Sequence, residues 1–303
     1  MKRRAAGREP STFGFRQQLT SQTACRSYTT FDAVVKIPPN CDVLTRWSCS
    51  SRERECRQLN LSNRTTVENR LTFPILPQPT DSTCGPTSLH AVYGYYGDDL
   101  LLEQVIDEVE TVETGGTLAA LLGRHALDRG YKATLYTCNL HVFDPTWFDP
   151  VDQPLVELLR AQMEVKQDAK LQTASQAYIN FLERGGRIRL EDMSPALLRR
   201  YLKRGIPVLT GLSLTWLYRD PRETGPDCKP DAIRGEPVGH FVVLCGYDPA
   251  TRQVLVADPY EANPHAEGHH YEIPLERVLC AILLGVVTYD ANMLIIERPD
   301  RSA

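Results

Sequence analysis

The sequence predicts an α+β fold, a helical half packed against an antiparallel β-sheet. Two observations carry this. Helical spacings concentrate between residues 84 and 202, whereas strand-like runs dominate from Gly205 onward. Two of those late runs are joined by a short polar turn, the signature of a hairpin rather than of a βαβ series.

The patterned region starts near Leu71. LTFPILPQP is apolar but holds three prolines, so it is extended and not helical. After Cys84, residues Leu89, Val92, Tyr93 and Tyr96 fall at i, i+3, i+4 and i+7, and Gly97 stops the helix. DDLLLEQVIDEVE reads as a second helix, and a third runs from Thr117 to about Asp128, ending at Gly130. YKATLYTC reads as a strand. The stretch from Pro154 spaces Leu155, Leu158, Leu159, Met163, Tyr178, Phe181 and Leu182 helically as far as Gly185-Gly186. Ser194 is placed to cap one more helix, which ends before Gly205. GIPVLTGLSL, HFVVLCGYD and QVLVADP then read as strands, PLERVLCAILL as a last helix and NMLIIERP as a last strand.

The chain of 303 residues is long enough for a substantial core, with 42% hydrophobic and 24% charged residues. No apolar run reaches the roughly 18 residues that span a bilayer, so a membrane partner is not expected. Residues 1–70 carry a balance of +7 and the remainder −11, within a net charge of −4. Residues 1–70 show no sustained period, are rich in Arg, Ser and Thr, and are expected to form a disordered leader. The acidic body argues against nucleic acid as a partner. Nine cysteines, none spaced CxxC and none preceded by a secretory segment, point to a reducing, cytoplasmic setting.

Chemistry concentrates in two segments. In QPTDSTCGPTSLHAVYGYYG, Cys84 opens a helix, where the dipole and unpaired N–H groups favour a thiolate. The Gln78 amide, with the Cys84 N–H, supplies donors suited to an oxyanion. In GHFVVLCGYDPATRQVLVADP, residues 239–259, His240 begins one hairpin strand and Asp258 ends the other. Their side chains then become neighbours, with the carboxylate orienting an imidazole that leaves its other nitrogen for a thiol. Each residue alone also admits an ordinary reading: a buried helix-start thiol, a strand cap, a turn former. His265, His269 and His270 fit no common zinc spacing and read as a polar loop, His90 as a packing group, and neither a metal nor a cofactor is called for.

The two segments resemble the peptidase C39-like family, within the papain-like cysteine peptidase superfamily. GIPVLTGL is also similar to the family strand that precedes the histidine. The resemblance covers roughly residues 71–298, expected to form one peptidase C39-like domain. It implies a papain-like fold and a thiol-dependent hydrolase acting on a peptide or other amide. Cys84 would be nucleophile, His240 base, Asp258 orienter and Gln78 oxyanion donor. The chain has no P-loop and no room for an exporter, so leader processing coupled to export is not expected. Acyl transfer at the same site, or an inert peptide-binding scaffold, remain the alternatives. The loop at residues 219–237, just before His240, either covers the cleft or lies on the surface.

Overall fold

The structure is a computed structural model that describes residues 70–112, 115–149, 154–225 and 227–299. The expected leader therefore lies outside the described residues, apart from Arg70.

Helices come first. They are α1 (Cys84–Tyr95), α2 (Leu102–Glu108) and α3 (Ala119–Asp128), followed by strand β1 (Lys132–Thr137). The helical stretch after Pro154 is not continuous. It forms α4 (Leu155–Val165) and α5 (Ala169–Glu183), broken where the Asp168 carboxylate accepts the Leu171 N–H at 2.8 Å and caps α5. An aspartate that can cap starts a new helix more readily than it continues an old one. The chain goes on through β2 (Arg187–Arg189), α6 (Pro195–Leu202), β3 (Val208–Ser213) and α7 (Leu214–Tyr218). Ser194 caps α6 through the Leu197 N–H, as the sequence predicts. A small two-stranded ribbon, β4 (Glu223–Thr224) with β5 (Lys229–Pro230), lies inside the 219–237 loop. Last come β6 (Gly239–Asp248), β7 (Gln253–Ala257), β8 (His270–Pro274), α8 (Leu275–Leu284) and β9 (Asn292–Glu297).

Seven strands form one sheet in the order β2-β1-β9-β3-β6-β7-β8. The β1–β2 pair is parallel and every other pair is antiparallel. The α+β class is the expected one, with two refinements. Helices cover both faces of the sheet, and HHYE, expected as loop, contributes the opening of β8. On one face α1 to α5 bury Leu89, Tyr93, Leu122, Leu159 and Phe181 against Leu209, Phe241, Val243 and Leu294. On the other, α6, α7 and α8 bury Leu198, Leu202, Leu217 and Ile282 against Val208, Val242, Val256 and Ile295. The strands are apolar on both sides because both sides are covered.

The β6–β7 hairpin carries one irregularity that matters for the site. Val243 pairs with Ala257 and Leu244 with Val256, but Gly246 pairs with Leu255, so Cys245 is an extra residue forming a bulge. Extending the first register puts Asp258 opposite Val242, on the same face as His240 two residues away. Without the extra residue Asp258 would face Val243 and lie on the opposite side of the sheet from His240, because the side-chain period is two. Among the described residues, no helix is long and apolar enough to cross a membrane.

Candidate active site

The start of α1 abuts the N-terminal end of β6. Ser88 on α1 donates its hydroxyl to the Phe241 carbonyl at 3.1 Å, tying helix to strand one turn beyond Cys84. Gly85 makes the approach close: a Cβ there would lie 2.5 Å from Thr117 Cγ2 and 3.3 Å from the Phe241 ring. Gly85→Ala is therefore expected to push the helix start off the sheet. The expected cost is about 1–3 kcal/mol, read by denaturant unfolding.

Thr83 does not cap α1. Its hydroxyl turns back to the Thr80 carbonyl at 2.9 Å, so the helix mouth is left without a side-chain cap. That keeps the positive end of the dipole available to an anion at Cys84, whose thiol is half-buried.

His240 and Asp258 are both fully inside, 3% and 0% exposed. His240 Nε2 lies 2.8 Å from Asp258 Oδ1. Nδ1 is then the ring nitrogen left for a second partner, and the Cys84 thiol is near enough to influence the ring's charge. The Asp258 carboxylate is held from several sides. The Tyr260 N–H donates to Oδ1 at 2.9 Å, and the Tyr218 and Tyr271 hydroxyls donate to Oδ2 at 2.6 and 2.7 Å. Neither tyrosine was singled out by sequence: Tyr218 comes from α7 and Tyr271 from β8, and only the fold brings them to one carboxylate.

Gln78 joins the cluster through its backbone, donating its N–H to the Pro259 carbonyl at 2.9 Å, one residue past Asp258. Its side-chain amide donates to the Thr80 carbonyl at 3.0 Å, and its Oε1 is buried without a partner among the described residues. One amide N–H of Nε2 remains for another acceptor. Four other histidines are tied to the frame. His90 Nε2 lies 3.0 Å from the Leu100 carbonyl, and His265, His269 and His270 approach the carbonyls of Leu217, Asp258 and Phe73. Among the described residues no cluster of histidine, cysteine and acidic side chains could hold a metal.

Burial alone would lower the His240 pKa, but the Asp258 carboxylate, its hydrogen bond and the Cys84 thiol outweigh it and raise it to about 10. Burial pushes the Asp258 carboxyl up, yet the His240 charge and the hydrogen bonds from His240, Tyr218 and Tyr260 bring it below its ordinary value. Burial and the Asp258 carboxylate push both tyrosine phenols upward, so they stay donors. The sign for stability follows. The His240 contribution is complete below its unfolded value of 6.5 and is lost as pH rises through about 10. The Asp258 contribution is present above 3.8 and is lost as pH falls through the lowered folded value. Denaturant unfolding of wild type and His240→Gln across pH 6 to 10 is expected to give a stability difference that shrinks as pH rises.

Residues 169–278 match the Peptidase_C39 like family. His240 and Asp258 lie inside the matched segment, whereas Gln78 and Cys84 lie outside it. No curated protein matches the chain. Similar solved structures include a putative C39-like peptidase from Bacillus anthracis, at 16% identity, covering 77% of this chain and 98% of that one, with a TM-score of 0.42. A double glycine motif protease from an AMS/PCAT transporter, solved with the leader peptide, is also 16% identical. It covers 76% of this chain and 95% of its own, with a TM-score of 0.38. Xylellain, a cysteine protease from Xylella fastidiosa, is 16% identical over 76% of this chain and 85% of its own, with a TM-score of 0.36. A helix opened by Cys84 and a mostly antiparallel sheet agree with the α+β class expected from the sequence.

Proposed function

We propose, taking the Peptidase_C39-like match of residues 169–278 as the premise, that this protein is a cysteine peptidase that cleaves an amide bond at Cys84. The observation that carries the reading is the buried Asp258–His240 pair, whose imidazole feels the Cys84 thiol at a helix mouth.

In this reading His240 holds the thiol proton, and the Cys84 thiolate attacks the carbonyl carbon of the scissile bond. The C–O π pair moves to oxygen, and the Cys84 N–H and the second Nε2 N–H of Gln78 take the developing charge. As the tetrahedral species collapses, the C–N bond breaks and His240 passes its proton to the leaving amine. A thioester remains. Water then attacks that thioester while His240 takes its proton, and the C–S bond breaks to return the thiolate. Asp258, anchored by two phenols, keeps the imidazolium oriented throughout.

The test is twofold. A thiol-reactive probe at low concentration is expected to label Cys84 selectively and to lose that labelling in His240→Ala. A peptide library is expected to be cut by wild type and not by Cys84→Ala, with a thioester trapped at Cys84 by mass spectrometry. Products bearing an added amine instead of water would make the enzyme an acyltransferase. An unreactive Cys84 with no cleavage would overturn the enzymatic reading.

A further inference from the structure

Beside the candidate site lies a cavity of about 620 Å³. Thr117, which packs on Gly85 next to Cys84, and Gly239, the neighbour of His240, both line it. Among the described residues its charged lining is unequal: Glu223, Glu236 and Asp290 against Lys170.

Asp290 is the unusual member. It is 5% exposed, and among the described residues its Oδ1 is buried with no hydrogen-bond partner, while Oδ2 accepts only from the Thr288 hydroxyl at 2.9 Å. A buried carboxylate oxygen without a donor is costly unless a ligand completes it. Room for the group is built into the sheet. A Cβ at Gly239 would fall 2.5 Å from Oδ2 and one at Gly211 would fall 2.9 Å from Oδ1. The backbone on either side, Tyr289 at φ 66° and Ala291 at φ 48°, is held in the left-handed region. Such conformations persist where the surrounding structure requires them, commonly at binding sites. Burial raises the Asp290 carboxyl to about 7, with the Thr288 hydroxyl and the His240 charge pulling the other way. A cation beside it would keep it ionised. Across the cavity, the loop expected either to cover the cleft or to lie on the surface supplies Glu223, which sits close enough to Asp81, three residues before Cys84, to feel its charge.

We propose that this cavity is a specificity pocket for a cationic side chain, lysine or arginine, of the bound peptide, with Asp290 as its buried anionic floor and Glu223 and Glu236 as its acidic wall. The inference rests on the reading of the neighbouring cleft as a peptidase site, and it names the substrate class that site takes. A guanidinium or ammonium in the cavity would balance the excess of carboxylates and keep the Asp290 carboxyl, whose Oδ2 faces the lining residue Gly239, ionised.

The experiment uses full-length Cys84→Ala protein and fluorescent peptides identical but for one scanned position, carrying Lys, Arg, Gln or Glu. At one position the Lys and Arg peptides are expected to bind at least about tenfold more tightly than the Gln peptide. In Cys84→Ala/Asp290→Asn that ratio is expected to fall toward one. In Cys84→Ala/Glu223→Gln it is expected to fall by about threefold. The second variant, in the exposed loop, reports even if the first fails to fold. Equal affinity for Lys, Gln and Glu peptides at every position, or a ratio unmoved in every folded variant, overturns the proposal. Cleavage of the same peptides by wild type separates the two readings. Cationic preference in binding without cleavage overturns the peptidase reading and leaves the pocket standing, and cleavage without cationic preference does the reverse.

Discussion

Cys84→Ala is expected to lower peptide cleavage by at least about a thousandfold, with the unfolding midpoint nearly unchanged. The thiol is half-buried at a helix mouth and makes few structural bonds, so its loss removes chemistry and little packing. Cys84→Ser is expected to fall almost as far. An alcohol is a far poorer source of nucleophile under a histidine whose proton is already held by a neighbouring carboxylate. Single-turnover cleavage by wild type and both variants is the measurement. A Cys84→Ala protein within tenfold of wild type would remove the nucleophile from the proposed reaction.

Asp258→Ala is expected to be the most destabilising change at the site, by about 3–5 kcal/mol. The reason is the number of groups it abandons. His240, the Tyr260 N–H and the Tyr218 and Tyr271 hydroxyls all converge on this one carboxylate, and it is fully buried. Asp258→Asn keeps the volume but presents an N–H₂ to groups that are themselves donors. It is expected to lose about a hundredfold or more in cleavage, with a smaller stability cost than alanine. Tyr271→Phe removes one of the two phenols on Oδ2 and is expected to cost about 1 kcal/mol. Denaturant midpoints for the three variants check the order. A cost below about 1 kcal/mol for Asp258→Ala would mean that the buried network is not what holds the hairpin end.

The pocket and the site share one piece of backbone. Gly239 leaves space for the Asp290 carboxylate on one face of the sheet, and His240 turns to the other face toward Tyr218. Substrate recognition and catalysis would then be coupled through adjacent residues of β6.

Periodicity alone determined the helices around Leu89, Val105 and Leu122, the strands ending in Ser213, Asp248 and Glu297, and the hairpin that draws His240 and Asp258 together over 18 residues. Those features are local: a turn, a cap or a repeat writes them into neighbouring residues. The break between α4 and α5 was also legible at Asp168, had its capping oxygen been weighed against the apolar spacing. Other features depended on contacts between distant residues. The parity of the hairpin rests on one extra residue at Cys245, for which Gly246 was the only local sign. The two phenols on Asp258 arrive from a short helix and from a strand hidden in a polar stretch. Asp290 meets Gly239 across 51 positions of chain. Sequence spacing encodes which residues share a face of one element. Which faces then confront one another is decided by the packing of both sides of the sheet, where burial of the whole core outweighs any single local preference.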